Sequence, residues 1–201
     1  MRAFKAIALQ LAVGALIVGC NDSPTDTGLT RTSELEPATV VSTTQPVRII
    51  GVGTIVGEAT INRNANGASA NFHTSGLTPG TVYSLWWAVF GNPEFCTPPC
   101  DAVDIVNPLV NGGAEQAASH VVGGSGNASY GSRLNLGDVL TGGGTPTFNT
   151  FDDVLGSEIH LVVRSHGPKV PGNEQLFGFN GGCPPATCVN VQASMHPAPA
   201  P

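Results

Sequence analysis

The stretch Glu158-Ile-His160-Leu-Val-Val-Arg164-Ser-His166 carries the residue types closest to chemistry in this chain. Successive side chains of a strand point to opposite faces, so Glu158, His160, Val162, Arg164 and His166 share one face. Two imidazoles, a carboxylate and a guanidinium on one face suit a metal or anion site. His160 and His166 are the candidate ligands, for zinc or copper, and a three-histidine site requires His73 or His120 to join them. The same pattern fits the solvated side of a half-buried strand. Trp86-Trp87 is a second candidate, because a strand sends one indole to each face. One is then core and the other a stacking platform for a sugar or a protein partner, with core packing on both faces as the alternative. Trp86, Trp87 and Arg164 are the candidate binding residues. Asp101 with Asp104, and Asp152 with Asp153, are acidic loop pairs able to hold calcium, although neither matches an EF-hand loop. No Gly-x-Ser-x-Gly, His-Glu-x-x-His or phosphate-cradling Walker loop occurs, so the sequence points to binding rather than catalysis.

The cysteines need a compartment before they can be read. Residues 1–19 begin with Arg2 and Lys5 and continue into an apolar run broken by Gln10 and Gly14. The run is shorter than the roughly 20 residues of a membrane span and reads as an export signal. It ends in Leu16-Ile17-Val18-Gly19-Cys20, which resembles a bacterial lipobox. The resemblance implies acylation of Cys20, cleavage before it, and a lipoprotein of the cell envelope facing periplasm or exterior. Asn21 after the cysteine favours the outer membrane. Export in turn means an oxidising compartment, so the remaining cysteines, Cys96, Cys100, Cys183 and Cys188, are expected as disulfides. Their spacing, Cys96-Thr-Pro-Pro-Cys100 and Cys183-Pro-Pro-Ala-Thr-Cys188, favours two local bridges among the three connectivities that four cysteines allow. A four-cysteine zinc site is the rival.

The elements that must position these groups are strands. Glycine accounts for 26 of 201 residues, only 11% are charged, and long helical periodicity is absent. Short alternating runs between Gly, Asn and Pro predict an all-β fold, an antiparallel β-sandwich of the immunoglobulin-like or a related kind. Thr81 to Phe90 reads as a central strand with bulk on both faces, and Glu158 to His166 as its partner. Further strands are expected at 48–56, 58–63, 68–74, 115–122, 127–136 and 189–195, with a hairpin turn at Asn64-Ala-Asn-Gly67 and a helical turn near 101–106. Residues 20–46, rich in Ser, Thr and Pro, read as a flexible tether, 47–195 as the domain and 196–201 as a disordered tail. Gly67-Ala-Ser-Ala-Asn-Phe72 followed by the strand 82–90 is echoed by Gly126-Asn-Ala-Ser-Tyr130 followed by the strand 158–166. That fits either an internal duplication or the self-similarity of glycine-rich β-proteins.

The formal net charge of −6 comes without a basic stripe, which excludes nucleic acid as a natural partner. Attachment to anionic lipid then falls to the acyl anchor. Leu77-Thr-Pro-Gly80-Thr-Val-Tyr83 resembles the tyrosine corner of fibronectin type III domains, which implies that the Tyr83 hydroxyl ties back to nearby backbone. Leu77-Thr-Pro-Gly80 is also similar to the CHRD domain, a β-domain first described in chordin, but Tyr83-Ser-Leu-Trp-Trp87 stands where that domain has its histidine-rich motif. Residues 76–93 and 158–171 together look like a group of secreted bacterial β-proteins of uncharacterised function. The function implied is a lipid-anchored binding or envelope-interaction module with an unidentified protein or glycan ligand. A metal-binding protein or metalloenzyme using His160 and His166 is the alternative.

Overall fold

The computed structural model describes residues 39–142, 149–172, 174–183 and 188–199. The export signal, Cys20, most of the tether and the glycines 143–144 of the long connection lie outside the described residues.

Among the described residues ten strands follow in order: β1 (Val41–Ile49), β2 (Ile55–Asn64), β3 (Gly67–Thr74), β4 (Thr81–Phe90), β5 (Gly112–Val121), β6 (Ala128–Asn135), β7 (Val139–Leu140), β8 (Asn149–Thr150), β9 (Glu158–Pro168) and β10 (Val189–His196). Eight form one sheet in the order β5-β4-β9-β10-β1-β2-β3-β6, and β7 pairs separately with β8. Every ladder is antiparallel. The end strands β5 and β6 approach each other, so the sheet nearly closes into a barrel. The fold is therefore all-β and antiparallel, as the sequence implies, but built from one continuous sheet.

The join between β10 and β1 is its thinnest seam. Its ladder consists of Arg48 opposite Ala193 and Ile49 opposite Gln192. Beyond that, side chains bridge the gap: Thr43 Oγ1 meets His196 Nδ1 at 3.0 Å, and Ser194 Oγ donates to the Gln45 carbonyl at 3.4 Å. Pro46, which has no N–H to give, stands in β1 where the β10 ladder has already ended.

Alternation along β4 sends Tyr83, Leu85, Trp87 and Val89 inward. There they meet Ala59 and Ile61 of β2, Ala70 and Phe72 of β3, Tyr130 and Leu134 of β6, and Ile159, Leu161 and Val163 of β9. Every residue of β4 is buried, so its outward face is covered too. The cover comes from loops: 91–111, with 3₁₀ turns at Pro93–Phe95 and Asp104–Val106, and the connection from β9 to β10.

The tyrosine corner closes as its residues imply. The Thr78 N–H donates to Tyr83 Oη at 3.1 Å, and Gly80 takes the left-handed conformation (φ +74°) that the turn requires. The strand boundaries correct two readings. β1 begins at Val41, inside the stretch assigned to the tether, and a turn at 50–54 separates it from β2 where one strand over 48–56 was expected. His196, assigned to the tail, ends β10 and is fully buried.

Candidate functional site

The outward faces of β4 and β9 carry the polar residues that the sequence singled out. β9 pairs with β4 in the register Trp86↔Val162, Ala88↔His160 and Ser84↔Arg164. Glu158, His160, Arg164 and His166 do share one face, and all are buried beneath the loops rather than solvated. Three arrangements result.

At one end, His160 Nε2–H donates to Glu158 Oε1 at 2.6 Å, and the same oxygen accepts the Cys100 N–H at 3.1 Å. The His160 ring lies 4.9 Å from the Phe90 ring. The carboxylate thus orients the imidazole and anchors the first disulfide loop to the strand.

In the middle, Arg164 is committed to the fold. Its guanidinium donates to the Phe179 carbonyl at 2.8 Å, to Asn190 Oδ1 at 2.8 Å and to Asn180 Oδ1 at 3.1 Å. It also lies 3.8 Å above the Phe179 ring centroid, a cation–π geometry. Phe179 in turn meets Trp86 edge-on at 5.1 Å. Arg164 therefore fixes an aromatic wall.

At the other end, the Trp86 Nε1–H donates to Ser84 Oγ at 2.7 Å, and Ser84 Oγ lies 2.7 Å from His166 Nε2. A carbonyl only accepts, so His166 Nδ1 carries the ring proton and donates to Gly181 at 2.9 Å, which leaves Nε2 of the neutral ring to accept the Ser84 O–H while Ser84 Oγ accepts from the indole. Burial lowers the His166 pKa, the bond to Gly181 raises it in part, and the Arg164 charge lowers it again. Cys188 Sγ and Cys183 Sγ stand 3.3 and 3.8 Å from the same Nδ1. Both disulfides are local, Cys96–Cys100 and Cys183–Cys188, as the spacing favours.

Between the first two arrangements lies a pocket of about 270 Å³. It exists because β4, β5 and β9 place small or short side chains, Ala88, Ala114 and Val162, in a row of bulky ones. Trp86, Phe90 and Phe179 wall it, while His160, Asp101 and Asn190 supply the polar lining. With Nε2 held by Glu158, His160 Nδ1 has no protein partner among the described residues. Gly142 packs against the Trp86 ring, where a Cβ would come within 2.3 Å of Cζ3 and 2.8 Å of the Ala114 carbonyl oxygen. Three other depressions are larger and open more widely to solvent: about 400 Å³ beside Arg48 and Met195 and about 540 Å³ between His73 and Ser129, both without an aromatic wall, and about 380 Å³ lined by Trp86 and Phe179 with Glu115, Gln116 and Thr141.

Other expected groups are not brought together. His160 and His166 stand about 20 Å apart at the rise of a strand. Among the described residues, no cluster of three metal-type ligands contains His73, His120 or His160. His73 Nδ1 pairs with Ser129 Oγ at 2.9 Å, and His120 stacks on Tyr130 at 4.6 Å. Trp87, the other candidate indole, is fully buried in the core, and its Nε1–H donates to Ser132 Oγ at 3.1 Å. The acidic pairs serve their own turns, Asp101 and Asp104 accepting from the N–H groups of Val103 and Asp101, and Asp153 from those of Leu155 and Gly156.

Phe179, Phe90 and the alanine floor were not identified from sequence. The only signal was Ala88 amid large residues in a strand read as buried on both faces. No protein-family model matches this chain, and no curated protein matches it.

Proposed function

We propose that the protein is a binding module of the bacterial cell envelope, tethered through an acylated Cys20. It takes a small, flat, mainly apolar ligand on the outward face of β4 and β9. The pocket between Trp86, Phe90 and Phe179 is the observation that carries this reading. Its size is near the lower limit for small-molecule sites, so the occupant is a single ring or a short chain with one polar group facing His160 Nδ1. The walls are pre-organised by Arg164, by Glu158 and by the two disulfide loops, which lowers the ordering cost of binding. The anchor rests on the lipobox-like sequence and on the acidic charge, which gives the domain no attraction of its own to anionic lipid. For the finer architecture we favour a sandwich, with β5-β4-β9-β10 facing β1-β2-β3-β6, because the β10–β1 ladder is so short.

The test is a panel of indole, p-cresol, benzamide and methyl glycosides, screened by saturation-transfer NMR against the full chain and against Ala88→Leu. Binding of an aromatic member to the native chain, weakened at least tenfold by the leucine that fills the pocket, is the expected outcome. Binding that Ala88→Leu leaves unchanged would place the site elsewhere, and binding of the glycosides alone would favour a sugar-stacking surface.

A further inference from the structure

We propose that His166, Cys183 and Cys188 are a redox-gated metal centre, a disulfide in the oxidised protein and a Cys₂His site for a zinc-class divalent ion once the disulfide is reduced. None of the three lines the pocket, and the cluster does not depend on the ligand reading. The three donor atoms fall within 4.8 Å of one another. Tetrahedral zinc with Zn–S near 2.3 Å and Zn–N near 2.0–2.1 Å sets sulfur–nitrogen edges of about 3.5 Å and a sulfur–sulfur edge of about 3.8 Å. The observed sulfur–nitrogen distances, 3.3 and 3.8 Å, already bracket that edge. Only the two sulfurs need to separate.

The chemistry balances with a dithiol reductant. Its thiolate attacks one sulfur of the bridge to give a mixed disulfide, and its second thiol displaces the protein. Two electrons and two protons pass to Cys183 and Cys188, and the reductant leaves as its own disulfide. Cys183 is half-buried and Cys188 buried, so Cys183 is the accessible sulfur. Metal binding then releases the two thiol protons. For Nδ1 to ligate, the imidazole proton moves from Nδ1, where it faced Gly181, to Nε2, where it donates to Ser84 Oγ. Ser84 keeps a second lone pair for the Trp86 indole, so the serine that now gives its proton to Nε2 becomes the outer support of a metal-bound imidazole. The other disulfide offers a contrast. Cys96 and Cys100 have a carboxylate, Asp104, as their third neighbour and no imidazole, a poorer set for a borderline-soft ion.

Full-length protein, reduced and freed of reductant without air, is titrated with cobalt(II) as the optical probe for zinc. One equivalent should give tetrahedral bands with thiolate-to-cobalt charge transfer, and the oxidised protein should give none. His166→Gln should weaken cobalt binding at least tenfold, while Cys96→Ser with Cys100→Ser should leave it intact. A second readout needs no variant. Zinc added to the reduced native chain should protect Cys183 and Cys188 from iodoacetamide, leaving Cys96 and Cys100 labelled, as read by peptide mass spectrometry. Equal labelling of both pairs in the presence of zinc, or cobalt binding that His166→Gln does not weaken, would overturn the proposal.

Discussion

Two tyrosines show how differently one hydroxyl can act. Tyr83 Oη accepts the Thr78 N–H and closes the corner that launches β4. Tyr130 Oη is buried with no hydrogen-bond partner among the described residues, and burial drives its pKa upward. A net hydrogen bond contributes roughly 0.5–1.5 kcal/mol, whereas an unpaired buried hydroxyl is a cost. Tyr83→Phe should therefore lower the unfolding free energy by about 1 kcal/mol, and Tyr130→Phe should leave it unchanged or raise it. Urea unfolding of the two variants beside the native chain decides this, and equal losses would refute the distinction. Arg63 is a third case, fully buried and pointed at the carbonyls of Val154 (3.1 Å), Ser157 (2.6 Å) and His196 (3.3 Å). Burial lowers its pKa to about 10, with Asp153 opposing, so it remains charged at neutral pH and clasps β2 to the turn before β9 and to the end of β10.

At the scale of elements, the disulfide loops act as local braces. Each closes a loop of four or five residues, for which chain entropy predicts about 2 kcal/mol. Cys183→Ser with Cys188→Ser should lower stability by no more than that in urea, while the fluorescence of Trp86 reports a loosened Phe179 wall. A loss well beyond 2 kcal/mol would mean that the bridge holds the domain itself. The β4–β9 pair, the 64–67 hairpin and both bridges were legible because their signals are local: alternation, turn residues and cysteine spacing. β1 was not, because Ser42, Thr43, Thr44 and Pro46 read as tether. Those polar residues lie in a strand only because β2 supplies a full ladder on one side. The pocket was equally hidden, since Phe179 reaches Trp86 from a glycine-rich loop that carries no periodic signal. The expected convergence of His160 and His166 failed on strand geometry, for sharing a face does not make residues neighbours.

For the whole molecule, the β10–β1 seam is where pH should act. His196 bridges it, and burial, then the charges of Arg63 and His160, push its pKa from 6.5 down to about 4 against the Thr43 bond. Because the folded pKa lies below the unfolded one, the unfolded chain takes up the proton first. Nothing is lost above pH 6.5, and about 3 kcal/mol is withdrawn as pH falls toward 4. Burial lowers the pKa of His120 and His166 in the same direction. The measurement is therefore the difference between the native chain and His196→Gln in urea midpoint at pH 7 and near pH 4.5. The variant should be less acid-sensitive, and equal sensitivity would remove His196 from the explanation. What the molecule offers a ligand is settled by adding indole to isotope-labelled full-length protein and following amide, imidazole and indole NMR signals. Saturable shifts should centre on the Trp86 indole, His160 and Phe179 and leave the Trp87 indole unmoved. Shifts confined to the β10–β1 seam or to the His73 depression, or no saturable shift at all, would contradict a ligand site on the outward face of β4 and β9.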